Sequence, residues 1–194
     1  RTRVGWGLRE MVRRSLPPAH AHDNKLIDTL VEEFRQLHAQ DPVTETKPYP
    51  GITSLIGEVY QHGIPMTVLT NKPDAIAKIV VERTLSAVHV GTADEPFVHV
   101  IGQSERFPRK PDPTSTFWLL DQLSVPPRRC VFIGDSEIDI QTARNAGCVP
   151  VAVAWGFRDI QQLHSERPDH VCYSVEELRG VVGLNRTDET VATS

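Results

Sequence analysis

The sequence predicts an α/β fold, a doubly wound parallel sheet with helices on both faces, preceded by a small helical subdomain. Three observations carry this. From Gly51 onward, apolar runs of strand length alternate with segments of helical periodicity. The joints carry Gly63, Pro73, Pro113 and Gly147, residue types that start or stop helices. Ahead of Gly51, helical periodicity occurs twice in succession with no strand between.

The elements follow in order. Leu8, Met11, Val12 and Leu16 recur at helical spacing, and Pro17-Pro18 ends that run. Asp23 is placed to cap a second helix whose apolar face is Leu26, Ile27, Leu30, Val31, Phe34 and Leu37. The polar, proline-rich stretch from Asp41-Pro42 to Tyr49-Pro50-Gly51 marks a hinge. A helix is expected from Ile52 to His62, closed by Gly63, then a buried strand from Met66 to Leu69. Pro73 opens the next helix, with Ile76, Ile79, Val80 and Leu85 as its apolar positions. Val98 to Ile101 is a second strand, and Asp112-Pro113 starts a helix running through Leu123. Cys130 to Ile133 is a third strand, and Ile138 to Ala146 is a helix ended by Gly147. Val151 to Ala154 and Val171 to Tyr173 are further short strands. This divides the chain into a helical subdomain at 1–47, an α/β core at 48–183 and a polar tail at 184–194, expected to be disordered.

Composition narrows the function. The 194 residues are 39% hydrophobic and 24% charged, an ordinary globular balance. A chain of this length buries roughly 70% of its unfolded surface without a disulfide or metal staple. A net charge of −4 and the lack of a basic run argue against a nucleic-acid partner. Apolar runs are too short for a membrane span, and the first residues lack a signal-peptide core, so the expected location is cytoplasmic. Cys130, Cys148 and Cys172 are odd in number and form no C-x-x-C, which indicates neither a disulfide framework nor a zinc site. His20 and His22 lie in a proline-rich turn and read as solvent-exposed. There is no phosphate loop of the G-x-x-x-x-G-K-[ST] type and no G-x-S-x-G elbow, and Gly5-Trp6-Gly7 lacks a third glycine and a preceding strand.

In an open α/β sheet, ligands bind beyond the carboxyl ends of the strands. Three sets of residues follow three expected strands there: Thr70-Asn71-Lys72, Arg109-Lys110-Pro111-Asp112-Pro113, and Gly134-Asp135-Ser136-Glu137-Ile138-Asp139. Thr70 offers a hydroxyl, and the turn after it offers backbone N–H groups to an anion. Lys110 offers a compact positive charge, and Asp135 and Asp139 offer carboxylates suited to Mg²⁺. Taken singly, Thr70 reads first as a helix cap and Lys110 as a solvated lysine, while the two aspartates read equally as first-turn acids. Together on one rim they describe a site that handles a phosphoryl group by position and charge.

These motifs resemble the haloacid dehalogenase superfamily, and within it the phosphoglycolate phosphatases. The carriers are Val68-Leu69-Thr70-Asn71-Lys72-Pro73, then Arg109-Lys110-Pro111-Asp112-Pro113. Val131-Phe132-Ile133-Gly134-Asp135-Ser136-Glu137-Ile138-Asp139 follows, with Ala143-Arg144-Asn145-Ala146-Gly147 after it. Tyr49-Pro50-Gly51, Trp155-Gly156-Phe157 and the Val4 to Glu10 stretch agree more weakly. The resemblance implies a Mg²⁺-dependent phosphatase acting on a small phosphorylated metabolite, with 2-phosphoglycolate first in line. It implies that Thr70 binds the transferring group with the Asn71 backbone, and that Lys110 neutralises phosphate and nucleophile. Asp135 would ligate Mg²⁺, while Asp139 would support the metal shell or anchor Lys110. Residues 1–47 would be the remainder of a helical cap.

The family's first motif, D-x-D-G-T, which supplies a nucleophile and a general acid/base, is absent from the 194 residues. The sequence begins at Arg1, and the expectation is an N-terminally truncated core lacking its first strand, a fragment without activity of its own. In the family that strand lies between those at Met66 and Cys130, so two strand edges would be left unpaired. The alternatives are a related phosphatase, pyrophosphatase or phosphomutase, or a non-catalytic binding domain.

Overall fold

The structure is a computed structural model that describes residues 8–40, 43 and 46–184. The Gly5-Trp6-Gly7 stretch, the Asp41-Pro42 start of the hinge and the tail from Asn185 lie outside the described residues. Leu184, assigned above to the tail, is buried with Leu178 in the core and closes the last helix turn.

Helix α1 spans Leu8–Ser15 and α2 spans Asn24–Gln40. Asp23 caps α2 as expected, its Oδ1 accepting the Leu26 N–H at 3.0 Å. Ile27 and Val31 are buried on the predicted face, whereas Phe34 and Leu37 near its end are exposed. Arg9 of α1 pairs with Asp28 of α2. Within α1, the Glu10 carboxylate accepts from Arg13 and Arg14, which holds its pKa down to about 2.

The core is built from five strands, β1 Met66–Pro73, β2 Phe97–Gln103, β3 Val131–Gly134, β4 Val149–Val153 and β5 His170–Cys172. Its helices are α3 Ile52–Gln61, α4 Asp74–Leu85, the one-turn α5 Ala87–Val90, α6 Thr114–Leu123, α7 Glu137–Ala146, α8 Ile160–Ser165 and α9 Val175–Val181. All strand pairings are parallel, as alternation with helices requires. Side chains alternate across the sheet. Val151 and Val153 of β4 pack with Leu55 and Val59 of α3 and Leu178 of α9. Ala152 faces the other way, against Ile140 of α7 and Leu163 of α8. Helices therefore cover both faces, and the doubly wound expectation holds.

The strands form two sheets, β1–β2 and β3–β4–β5. Met66 of β1 and Val131 of β3 pack against one apolar cluster, so the two sheets are neighbours. Among the described residues no strand lies between β1 and β3, and each presents an unpaired edge.

Three local readings need correction, and helices α8 and α9 were not anticipated. β1 runs on past Leu69 to Pro73, where the chain rejoins β2 through the Pro73–Gln103 pair. Pro73 is extended (φ −51°, ψ 138°) and sits just outside α4 instead of in its first turn. The buried face of α4 is Ala77 and Val81, with Ile76, Ile79, Val80 and Leu85 only half-buried. Helices α8 and α9 are too short for a periodic apolar pattern; their signals are the caps Asp159 and Ser174.

Candidate phosphoryl site at the carboxyl ends of β1 and β3

Thr70, Asn71 and Lys72 form a bow at the end of β1. Leu69 pairs with Ile101 and Pro73 with Gln103, so three residues of β1 lie opposite Gly102 alone. Gly102 is required there: a Cβ would stand 2.4 Å from Asp74 Cα and 2.7 Å from the Lys72 carbonyl oxygen. Its N–H donates to Asp74 Oδ1 at 2.9 Å, which pins the start of α4 beneath the bow. Thr70 Oγ1 accepts the Lys72 N–H at 3.1 Å, tightening the turn.

The bow grips Lys110. Asn71 accepts the Lys110 N–H at 2.9 Å on Oδ1 and donates through Nδ2 to the Lys110 carbonyl at 3.1 Å. The Lys110 ammonium donates to the Leu69 carbonyl at 2.9 Å and to Asp139 Oδ1 at 2.6 Å. The Lys110 and Asp139 side chains are only 10% and 11% exposed. Such a pair is held by geometry, because each charge would be expensive to bury alone. On the far side, Asn145 of α7 donates to the Pro111 carbonyl at 2.9 Å.

The turn after β3 and the first turn of α7 supply the acids. Ser136 and Asp139 form a capping box: the Ser136 hydroxyl and N–H donate to Asp139 Oδ2 at 2.6 and 3.1 Å. Asp139 is thus occupied on both oxygens, by Lys110 and by Ser136. Gly134 makes room for it, since a Cβ there would lie 2.2 Å from Asp139 Cβ. Asp135 points elsewhere. Its Oδ2 accepts the Phe157 N–H at 2.8 Å from the loop after β4. Its Oδ1 has no donor among the described residues. Gly156 lets this loop close in, because a Cβ there would sit 2.2 Å from Asp135 Cβ.

The two aspartates therefore differ. Mg²⁺ takes oxygen ligands and usually keeps several waters, needing only one or two carboxylates from the protein. Asp135, with one free oxygen at the end of β3, fits that requirement. Asp139 offers no free oxygen and fits the anchoring of Lys110. Among the described residues no group of three or more His, Cys, Asp or Glu side chains gathers into a metal cluster.

The contacts join Asn71, Lys110 and Asp139 directly, with Thr70 beside them on the bow; Asp135 is the rim carboxylate turned toward Phe157. Sequence reasoning missed three contributors. Asn145 and Ser136 lie inside the motif stretches, and the Ser136–Asp139 capping-box spacing and the Asn145 amide were the available signals. Lys72 is the third. It is half-buried with no acidic partner among the described residues, and burial pushes its ammonium below the ordinary lysine range. An unpaired ammonium beside Thr70 suits a place that receives an anion. The buried guanidinium of Arg158 is paired with Glu137 at 2.7 Å.

A doubly wound parallel α/β domain with its polar residues collected at the strand ends is the class that fold and rim define. The particular family follows from comparison: the chain belongs to the haloacid dehalogenase-like hydrolases, whose family profile matches residues 1–153. A phosphoglycolate phosphatase of Vibrio parahaemolyticus is 29% identical over 187 residues, covering 94% of this chain and 78% of the relative. A phosphoglycolate phosphatase of Pseudomonas savastanoi is 30% identical over 183 residues, 92% of this chain and 63% of the relative. Among solved structures, a candidate phosphoglycolate phosphatase of Lactobacillus delbrueckii superposes with a TM-score of 0.79 at 28% identity. That match covers 91% of this chain and 78% of the other. The family expectation from the motifs is therefore correct. No helix among the described residues is long and apolar enough to cross a membrane.

Proposed function

We propose that the protein is the phosphate-handling part of a cytoplasmic phosphatase for a small phosphomonoester, with 2-phosphoglycolate as substrate. The observation that carries this is the Lys110 clamp. Its ammonium is fixed by the Leu69 carbonyl and Asp139, and its backbone by the Asn71 amide, at the carboxyl end of β1. The substrate assignment is supported by the names of the Vibrio and Pseudomonas relatives.

In this reading Thr70 Oγ and the bow's N–H groups orient the phosphoryl oxygens. Lys110 offsets negative charge on phosphate and nucleophile, and Asp139 with Asn71 keeps it in register. Asp135 holds Mg²⁺, which when bound neutralises phosphate charge. The nucleophilic carboxylate and the acid/base belong to a D-x-D-G-T strand seated between β1 and β3, where the unpaired edges lie. That carboxylate attacks phosphorus, and the alcohol leaves with a proton from the second aspartate. Water then releases phosphate. Residues 1–47 act as part of a cap that excludes bulk water.

A second reading, a non-catalytic phosphate-binding domain, is favoured by the absence of any D-x-D in the 194 residues. Phosphate release from 2-phosphoglycolate separates the two, measured for the chain as it stands and for the chain extended by a D-x-D-G-T strand. The catalytic reading expects turnover only in the extended protein, lost on chelating Mg²⁺ and reduced at least about 100-fold by Asp135→Asn. Phosphate binding without turnover in both proteins establishes the second reading. Turnover that survives Asp135→Asn overturns the role of Asp135.

A further inference from the structure

Cys130 immediately precedes β3 and Cys148 immediately precedes β4. The first β3–β4 pair is Val131 with Val149, so the two cysteines are the next pair outward in the same register. The Val149 N–H donates to the Cys130 carbonyl at 2.9 Å, which fixes that spacing. Their side chains share a face. Cys148 is buried with Leu120, Ala143 and Ala146, and Cys130 packs against this cluster beside Phe132. Neighbouring strands run about 4.7–4.9 Å apart, and a disulfide needs Cα atoms about 4.4–6.8 Å apart. Cys172, the third thiol, lies in the cluster on the opposite face with Val151 and Val153, out of reach of both.

We propose that Cys130 and Cys148 form a reversible redox-modification site, closed to a disulfide by a hydroperoxide. The neighbouring thiols bias each other, the Cys130 thiol down from its ordinary range and the Cys148 thiol up. Roles follow from this and from exposure. Cys130 is half-buried and accessible, while Cys148 is buried behind it. The Cys130 thiolate attacks one peroxide oxygen, the O–O bond breaks, and Cys130 becomes a sulfenic acid as the departing hydroxide takes a proton to become water. The Cys148 sulfur then attacks the Cys130 sulfur, the S–S bond forms, the S–O bond breaks, and the hydroxyl leaves as water with the Cys148 proton. Two thiols are oxidised by two electrons and one hydrogen peroxide becomes two waters. The ring closed in this way contains β3, Asp135 and all of α7. It is closed at the amino ends of the strands, away from the rim, so it shields Cys130 from over-oxidation without displacing Asp135.

The sequence makes the test direct. Trypsin cuts after Arg129, Arg144 and Arg158, so Cys130 and Cys148 fall on separate peptides and Cys172 on a third. The full chain is treated with hydrogen peroxide, alkylated and digested without reductant. The expected product is the 130–144 peptide joined to the 145–158 peptide, separated again by dithiothreitol. In Cys148→Ser the link is absent, and Cys130 advances to sulfinic acid. Complete alkylation of both cysteines after peroxide, or a link through Cys172, overturns the proposal. Because the mapping is done on the unaltered protein, it holds whether or not the serine variant folds.

Discussion

Gly156, like Gly134, is a position where the rim depends on a missing side chain. A Cβ at this position would fall 2.2 Å from Asp135 Cβ and 2.3 Å from its Oδ2, so an alanine must push the carboxylate or the loop aside. The same loop donates the Phe157 N–H that orients Asp135. Gly156→Ala is therefore expected to weaken Mg²⁺ binding by about 10–100-fold, the usual effect of disturbing a group that orients a ligand. Calorimetric titration with Mg²⁺ checks this, and circular dichroism confirms that the fold is kept; unchanged affinity in a folded variant removes Asp135 from the metal site. Motif order alone singled out Asp135, Lys110 and Thr70 as candidates. It left Asp139 between two tasks, and the Ser136 and Lys110 contacts occupy both its oxygens with the second. It assigned Asn71 a backbone role, whereas the Asn71 side chain makes the two-way clasp on Lys110. That contact joins residues far apart in sequence, and nothing local in the pattern encodes it.

At the level of elements, α7 was the most legible because its signals are local: Ser136 and Asp139 at capping-box spacing, an apolar face, and Gly147 at φ +73°. The end of β1 was least legible. Its bow arises from unequal numbers of residues in two paired strands, a relation between segments. The bow also half-buries Lys72 without an acid. Its folded-state pKa lies below the unfolded value of 10.5. Between those values the unfolded chain binds more protons, so stability rises with pH across that window. Lys72→Met removes the buried ammonium. It is expected to be more stable than the parent toward urea at pH 7, with the difference shrinking as pH approaches 10.5. The same variant is expected to bind inorganic phosphate more weakly. A variant that gains stability and keeps phosphate affinity would leave Lys72 as a packing residue.

The whole molecule is organised around the opening between β1 and β3. Among the described residues, strand β4 is paired on both sides, by β3 and β5, whereas β3 and β1 are each paired on one side. Alternate amides of a parallel strand point to opposite neighbours, so among the described residues part of β1 and part of β3 have no strand acceptor on their unpaired side. The Lys110 ammonium takes the Leu69 carbonyl near the end of β1. An extended segment seated there would complete a five-strand array into six and place its carboxyl end beside Thr70, Lys110 and Asp135. Hydrogen exchange reads this directly. In the chain as it stands, the amides of Val131–Gly134 that do not bond to β4 are expected to exchange at least about 100-fold faster than those of β4, because local opening suffices for the former. In the chain extended by a D-x-D-G-T strand they are expected to slow toward the β4 rates. Phosphate-dependent protection should then appear at Thr70 and Asn71. Equal rates in the two proteins would mean that the added strand lies elsewhere and that the nucleophile does not enter between the sheets.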